Sequence, residues 1–170
     1  VAVYNFGTEL LRRQIPLARL GLGETDAFLV WEFWNEEYCG RSRRSLTVEV
    51  PPGAVRVYRL VADAGRPVLL GTDMHLTMGE MEIDGCAWDA DTGTLRGAAR
   101  RPEGEQGSIF LHAPAGLRVA DPRGLWIAKD ARDESLVVRL SLTFAAGLRG
   151  WAVRFVAKAA GRRLQQQDPA

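Results

Sequence analysis

The chain has 170 residues, 46% hydrophobic and 25% charged, enough for one globular domain with a sizeable core. A formal net charge of +1 leaves no basic excess of the kind that nucleic acid or an anionic membrane needs, so neither is an expected partner. No apolar run reaches the roughly 18 residues of a membrane-spanning helix.

The chain opens on VAVYNF, residues 1–6, which reads as a strand. A native protein seldom starts inside a strand, so residue 1 reads as a cut point with more protein before it. Residues 8–22 look partly helical, interrupted by Pro16. Residues 28–34 (FLVWEFW) are apolar on both faces except at Glu32, the pattern of an interior strand. In residues 46–50, Leu46, Val48 and Val50 share one face and Thr47 and Glu49 the other. Residues 55–61 alternate less cleanly. Further strands are expected over 74–78, 81–88, 94–100, 108–113, 125–129 and 151–157.

The clearest alternation lies in residues 135–144. Val138, Leu140, Leu142 and Phe144 share one face; Val137, Arg139, Ser141 and Thr143 share the other. That predicts a half-buried antiparallel strand. Gly and Pro clusters such as Pro51-Pro52-Gly53 and Pro114-Ala115-Gly116 punctuate the runs, because Gly permits positive φ and Pro fixes φ and removes a donor. Together these signals predict an all-β fold, an antiparallel β-sandwich of about ten strands in two sheets. Residues 1–160 form a single domain on this reading, and 161–170 a disordered tail.

The densest polar cluster inside an apolar pattern is Asp73, His75 and Thr77. On a strand these three share a face, and a carboxylate two residues from an imidazole is able to orient it for general-base work. No GxSxG nucleophile motif accompanies them. A structural polar network is the preferred reading, with His75 satisfied by its neighbours. His75 and His112 are the only histidines and lack local ligand spacing, so no metal or other cofactor is expected. A site of Asp73, His75 and His112 would require their strands to meet. Glu36/Glu37, Glu80/Glu82/Asp84 and Asp89/Asp91 are carboxylate groups best read as solvated faces or turn caps. Cys39 and Cys86 lie far apart in sequence without CxxC spacing and read as free thiols; a disulfide between them stays open if the fold brings their Cα atoms within about 7 Å. The five tryptophans are expected to fill the core more than to form a sugar platform.

Several segments taken in order resemble the C-terminal β-domain that follows the catalytic barrel of α-galactosidase-like glycoside hydrolases, the melibiase group. They are VAVYNFGTE, LARLGL, FLVWEFWNEEYCG, LTVEVPPGAVRVYRL, PVLLGTDMHLTMG and WDADTGTLRG, which together cover about residues 1–120. The resemblance implies a non-catalytic accessory β-domain that supports the barrel. The catalytic aspartates of that family lie in the barrel, so no catalytic residue is carried over. The implied partner is the catalytic barrel of the same parent chain, with weak homodimer formation by a bare fragment. The alternatives are a free-standing carbohydrate-binding module and a small hydrolase using Asp73 and His75.

Overall fold

In the computed structural model, which describes residues 1–23 and 26–158, the alternating segments become fourteen strands, joined by one turn of 3-10 helix at Leu17–Leu20. Four antiparallel sheets result. The first is a two-stranded ribbon of β2 (Leu11–Pro16) and β5 (Ser45–Val50). The second has the order β1 (Ala2–Tyr4), β6 (Val55–Ala62), β3 (Phe28–Glu32), β4 (Glu37–Ser42). The third runs β12 (Leu125–Lys129), β13 (Leu136–Thr143), β10 (Gln106–Ala113), β7 (Val68–Thr72). The fourth runs β11 (Leu117–Val119), β14 (Leu148–Ala157), β9 (Thr94–Arg100), β8 (Ile83–Asp89).

Side-chain direction sets how the sheets stack. Successive residues of a strand point to opposite faces. Phe28 and Val30 of β3 therefore pack with Leu46, Val48 and Val50 of the ribbon, and Leu29 and Trp31 pack with Leu70, Phe110 and Val137 of the third sheet. From β10, Ile109 and Leu111 turn the other way, onto Leu95, Val153 and Phe155 of the fourth sheet. Three cores thus separate four layers. The all-β sandwich expectation holds, but with more strands and sheets than expected. A strand apolar on both faces needs a layer on each side, and β3, β10 and part of β13 are such strands. All five residues of β3 are buried, as expected of an interior strand; Glu32, the polar exception in that run, is buried with them, and the strand ends before Phe33 and the exposed Trp34.

The middle core joins the two halves of the chain. Trp31 is 1% exposed, and its ring centroid lies 4.4 Å from that of Phe110. Its indole rests against the backbone of Gly71, where a Cβ would meet Trp31 Cδ1 at 2.9 Å. Arginine forks reinforce the layer boundaries. Arg132 donates to the carbonyls of Tyr38 and Cys39, both at 2.8 Å, and Arg59 reaches the carbonyl of Met78. A guanidinium presents several donors in one plane and suits this use better than a lysine.

Two expected elements change. Residues 11–16 are strand, in register with β5 from Leu11↔Val50 to Pro16↔Ser45. Leu11 and Ile15 are the inward positions, four residues apart, a spacing that satisfies a period of 2 as well as one of 3.6. Residues 74–78 are a turn rather than a strand. The Met78 N–H donates to the His75 carbonyl at 2.8 Å, and Met78 has φ 53°. Burial of Met78 in the middle core holds that conformation. Residues 94–100 and 125–129 match β9 and β12 end to end. β2, β4, β7 and β11 escaped the strand expectations. The expected tail at 161–170 and the end of the expected 1–160 domain lie outside the described residues.

Candidate functional site

A polar groove opens where the hairpin between β3 and β4 stops covering the third sheet. Its floor is Ser108 of β10 with Arg139 and Ser141 of β13. One wall is Glu36, in the hairpin loop; the other is Asp73 and Met74, just past β7, with Arg101. The cleft holds about 530 Å³. A second cavity of about 300 Å³ adjoins it at Glu36 and is bounded by Trp126 and Tyr38.

Arg139 organises the site. Its Nη1 lies 3.1 Å from Glu36 Oε2 and its Nη2 3.4 Å from Asp73 Oδ2. Its Nε donates to Ser108 Oγ at 3.0 Å, and its guanidinium lies over the Phe110 ring, 5.5 Å from the centroid. Asp73 is fixed from a second side, because its Oδ1 accepts the Ser108 N–H at 2.7 Å. Gly107 lets this wall close, since any Cβ there would collide with Met74. Arg101 donates to the Met74 carbonyl at 2.8 Å and pairs with Glu105. Trp126 is the Cα partner of Arg139 on the edge strand β12 and is 58% exposed.

The Glu36 wall is held from beneath. Glu32 is 2% exposed, and its carboxylate accepts the N–H groups of Trp34 at 3.2 Å and Asn35 at 2.7 Å. Arg56 sits 3.8 Å from the same carboxylate. The loop leaves Glu36 at φ 51°, a left-handed conformation unfavourable for a residue with a Cβ.

The structure separates the three residues expected to act together. Asp73 enters the groove. His75 is exposed outside it, where its Nδ1 lies 3.1 Å from Thr77 Oγ1 and accepts the Thr77 N–H. Thr77 therefore belongs with His75, and neither joins Asp73. The strand geometry that would have aligned the three is replaced by the turn. His75 is not the buried, doubly satisfied histidine expected from sequence. No group of three or more metal-ligating side chains occurs among the described residues. Glu80 and Glu82 precede β8, and Glu82 is buried, so Glu80, Glu82 and Asp84 do not line one strand face. Asp89 does cap its turn, accepting the N–H groups of Asp91 and Thr92 at 3.1 Å. Cys39 and Cys86 are free thiols. Trp31 and Trp151 are buried and Trp88 packs on the fourth-sheet core, whereas Trp34 and Trp126 are exposed.

Glu36, Arg139 and Trp126 were missed as a group. The one local signal was the polar face of β13, where Arg139, Ser141 and Thr143 alternate with core residues.

His112 is buried at 0% exposure beside Tyr38, ring centroids 5.2 Å apart, and neither ring nitrogen has a hydrogen-bond partner among the described residues. Burial pushes its pKa below the ordinary value; Asp133, Asp63 and Asp130 oppose the shift and Arg41 adds to it. The unfolded chain takes up this proton near pH 6.5 and the folded chain resists it. Stability is therefore fully present above about pH 6.5 and falls as pH drops below it, by at most about 1.4 kcal/mol per pH unit from this group. Urea unfolding between pH 7 and 5 should show this fall, and His112→Leu should flatten it. An equal slope in the variant would remove His112 as the cause.

No family model, curated protein or solved structure gives a significant match to this chain.

Proposed function

We propose that this chain is a non-catalytic accessory β-domain of a glycoside hydrolase of the α-galactosidase-like type, with a groove that holds saccharide. The order of its sequence motifs supports the family reading. One observation carries the groove reading: a single guanidinium, Arg139, holds both groove carboxylates, Glu36 and Asp73, in a cleft flanked by an exposed tryptophan. Convergent polar groups beside an aromatic face are what a sugar needs to be held. Hydrolysis asks for something else, a carboxyl that gives up a proton to the leaving oxygen opposite a second carboxylate. Glu36 and Asp73 instead share one cation.

The partner on this reading is the catalytic barrel of the same parent chain. Phe6, 92% exposed and stacked on Tyr4 with centroids 5.8 Å apart, offers apolar surface for such a neighbour, or for weak self-association of the chain alone. A free-standing carbohydrate-binding module is the second reading, favoured by the exposure of Trp34 and Trp126.

Purified protein is expected to leave a panel of aryl glycosides, α-galactosides included, uncleaved. Turnover that persists through purification to homogeneity and disappears in Glu36→Gln or Asp73→Asn would overturn the non-catalytic assignment.

A further inference from the structure

We propose that the groove takes an uncharged, extended oligosaccharide laid across Glu36, with one ring against Trp126 and another at Asp73, Arg139 and Ser108. This rests on reading the groove as a saccharide site and adds the charge and length of what it holds.

Charge comes first. The groove and its adjoining cavity carry the carboxylates Glu36, Asp73, Glu37 and Asp130. Their cations are Arg139, Arg101 and Lys129, and each already has a carboxylate partner. Arg139 holds Glu36 and Asp73, Arg101 holds Glu105, and Lys129 lies 2.7 Å from Glu134. An anionic sugar would share each of these cations with a carboxylate already bound to it, and its own charge would stand beside that carboxylate. A neutral sugar meets no such repulsion. Its hydroxyls are able to donate to the remaining lone pairs of Glu36 and Asp73 and to accept from Arg139, while Ser141, Thr143 and Gln106 offer both roles. The Ser108 contacts hold Asp73 and Arg139 in place before any ligand arrives, so little ordering is left to binding.

Length follows from the sheet. β12, β13, β10 and β7 are successive neighbours, so Trp126 on the first and Asp73 just beyond the last stand three strand spacings apart, about 14 Å. The two cavities lie side by side with Glu36 as their shared wall, so a ligand that reaches both ends must pass over that side chain. A single sugar ring fills one end only. A chain of several rings engages the tryptophan at one end and the hydrogen-bonding groups at the other.

The test is isothermal titration calorimetry of the whole chain against four neutral tetrasaccharides, of glucose, galactose, mannose and xylose, their monosaccharides, and tetragalacturonate. Each is run at low salt and at about 0.5 M NaCl, where exposed charge interactions are largely screened. At least one neutral tetrasaccharide should bind at least about tenfold more tightly than its monosaccharide, a difference of about 1.4 kcal/mol. Its Kd should change less than about twofold with salt. Trp126→Ala, checked for folding by circular dichroism, should abolish the gain from length; a gain that survives would overturn the placement across Glu36. Equal affinity for mono- and tetrasaccharide would overturn the extended ligand. Salt-sensitive binding of tetragalacturonate alone, lost in Arg139→Gln, would overturn the neutral ligand while leaving a saccharide site standing. Binding of no saccharide of either kind to the folded protein would overturn the saccharide reading itself, and this inference with it.

Discussion

Trp31→Ala is expected to lower the unfolding free energy by about 3–5 kcal/mol, the range for removing a buried large aromatic. The side chain is 1% exposed and stands at the centre of the core between the second and third sheets, against Phe110, Leu70 and Met78. Nothing nearby collapses easily into the space, because the indole lies directly on the Gly71 backbone. A domain of this size has only about 5–15 kcal/mol in total, so the loss threatens the joining of its two halves. Trp31→Phe should cost much less. It keeps a ring against Phe110 and removes the Trp31 Nε1–H, which is buried without a partner among the described residues. Urea unfolding reads both as midpoint shifts at constant m-value. A Trp31→Ala loss below about 1 kcal/mol would show that the middle core does not hold the halves together.

Glu32→Ala should couple stability to the groove. Removing the carboxylate strands the Trp34 and Asn35 N–H groups and leaves Arg56 without its anion. Trp34 and Asn35 are exposed and both bonds are part-buried, so water replaces part of the lost acceptor and a total loss of about 1–3 kcal/mol is expected. The same loop carries Glu36 at φ 51°, and without Glu32 that conformation should relax. Any saccharide affinity of the groove should then fall even at temperatures where the variant stays folded. Glu32→Gln keeps one acceptor oxygen and should recover part of both effects. Full affinity in folded Glu32→Ala would mean that the loop holds Glu36 without help from below.

Much of the strand content was legible in the residues. β9 and β12 lie at the expected residues, and β13 differs by one residue at each end. The interior placement of β3 also followed from sequence, because apolar residues on both faces leave no wet side. The Asp89 turn cap was readable for a local reason, since that side chain bonds its own backbone two and three residues on. Where sequence misled, two periods coincided or a turn imitated a strand. Leu11 and Ile15 fit helix and strand alike, and only pairing with β5 decides between them. The apolar Met74, Leu76 and Met78 alternate with polar residues, yet a φ of 53° at Met78 bends them into a turn.

By itself the sequence determined that this chain is β-rich, where its clearest strands run, and that β3 is buried on both sides, because those properties depend on neighbours two residues apart. Tertiary structure alone decided the stacking into four layers and the groove. Glu36, Asp73, Trp126 and Arg139 come from different elements, up to 103 positions apart, and carry no shared local signal. Strand pairing across the third sheet and one guanidinium bring them together. Asp73 and His75, two positions apart, end in different environments because the backbone turns between them.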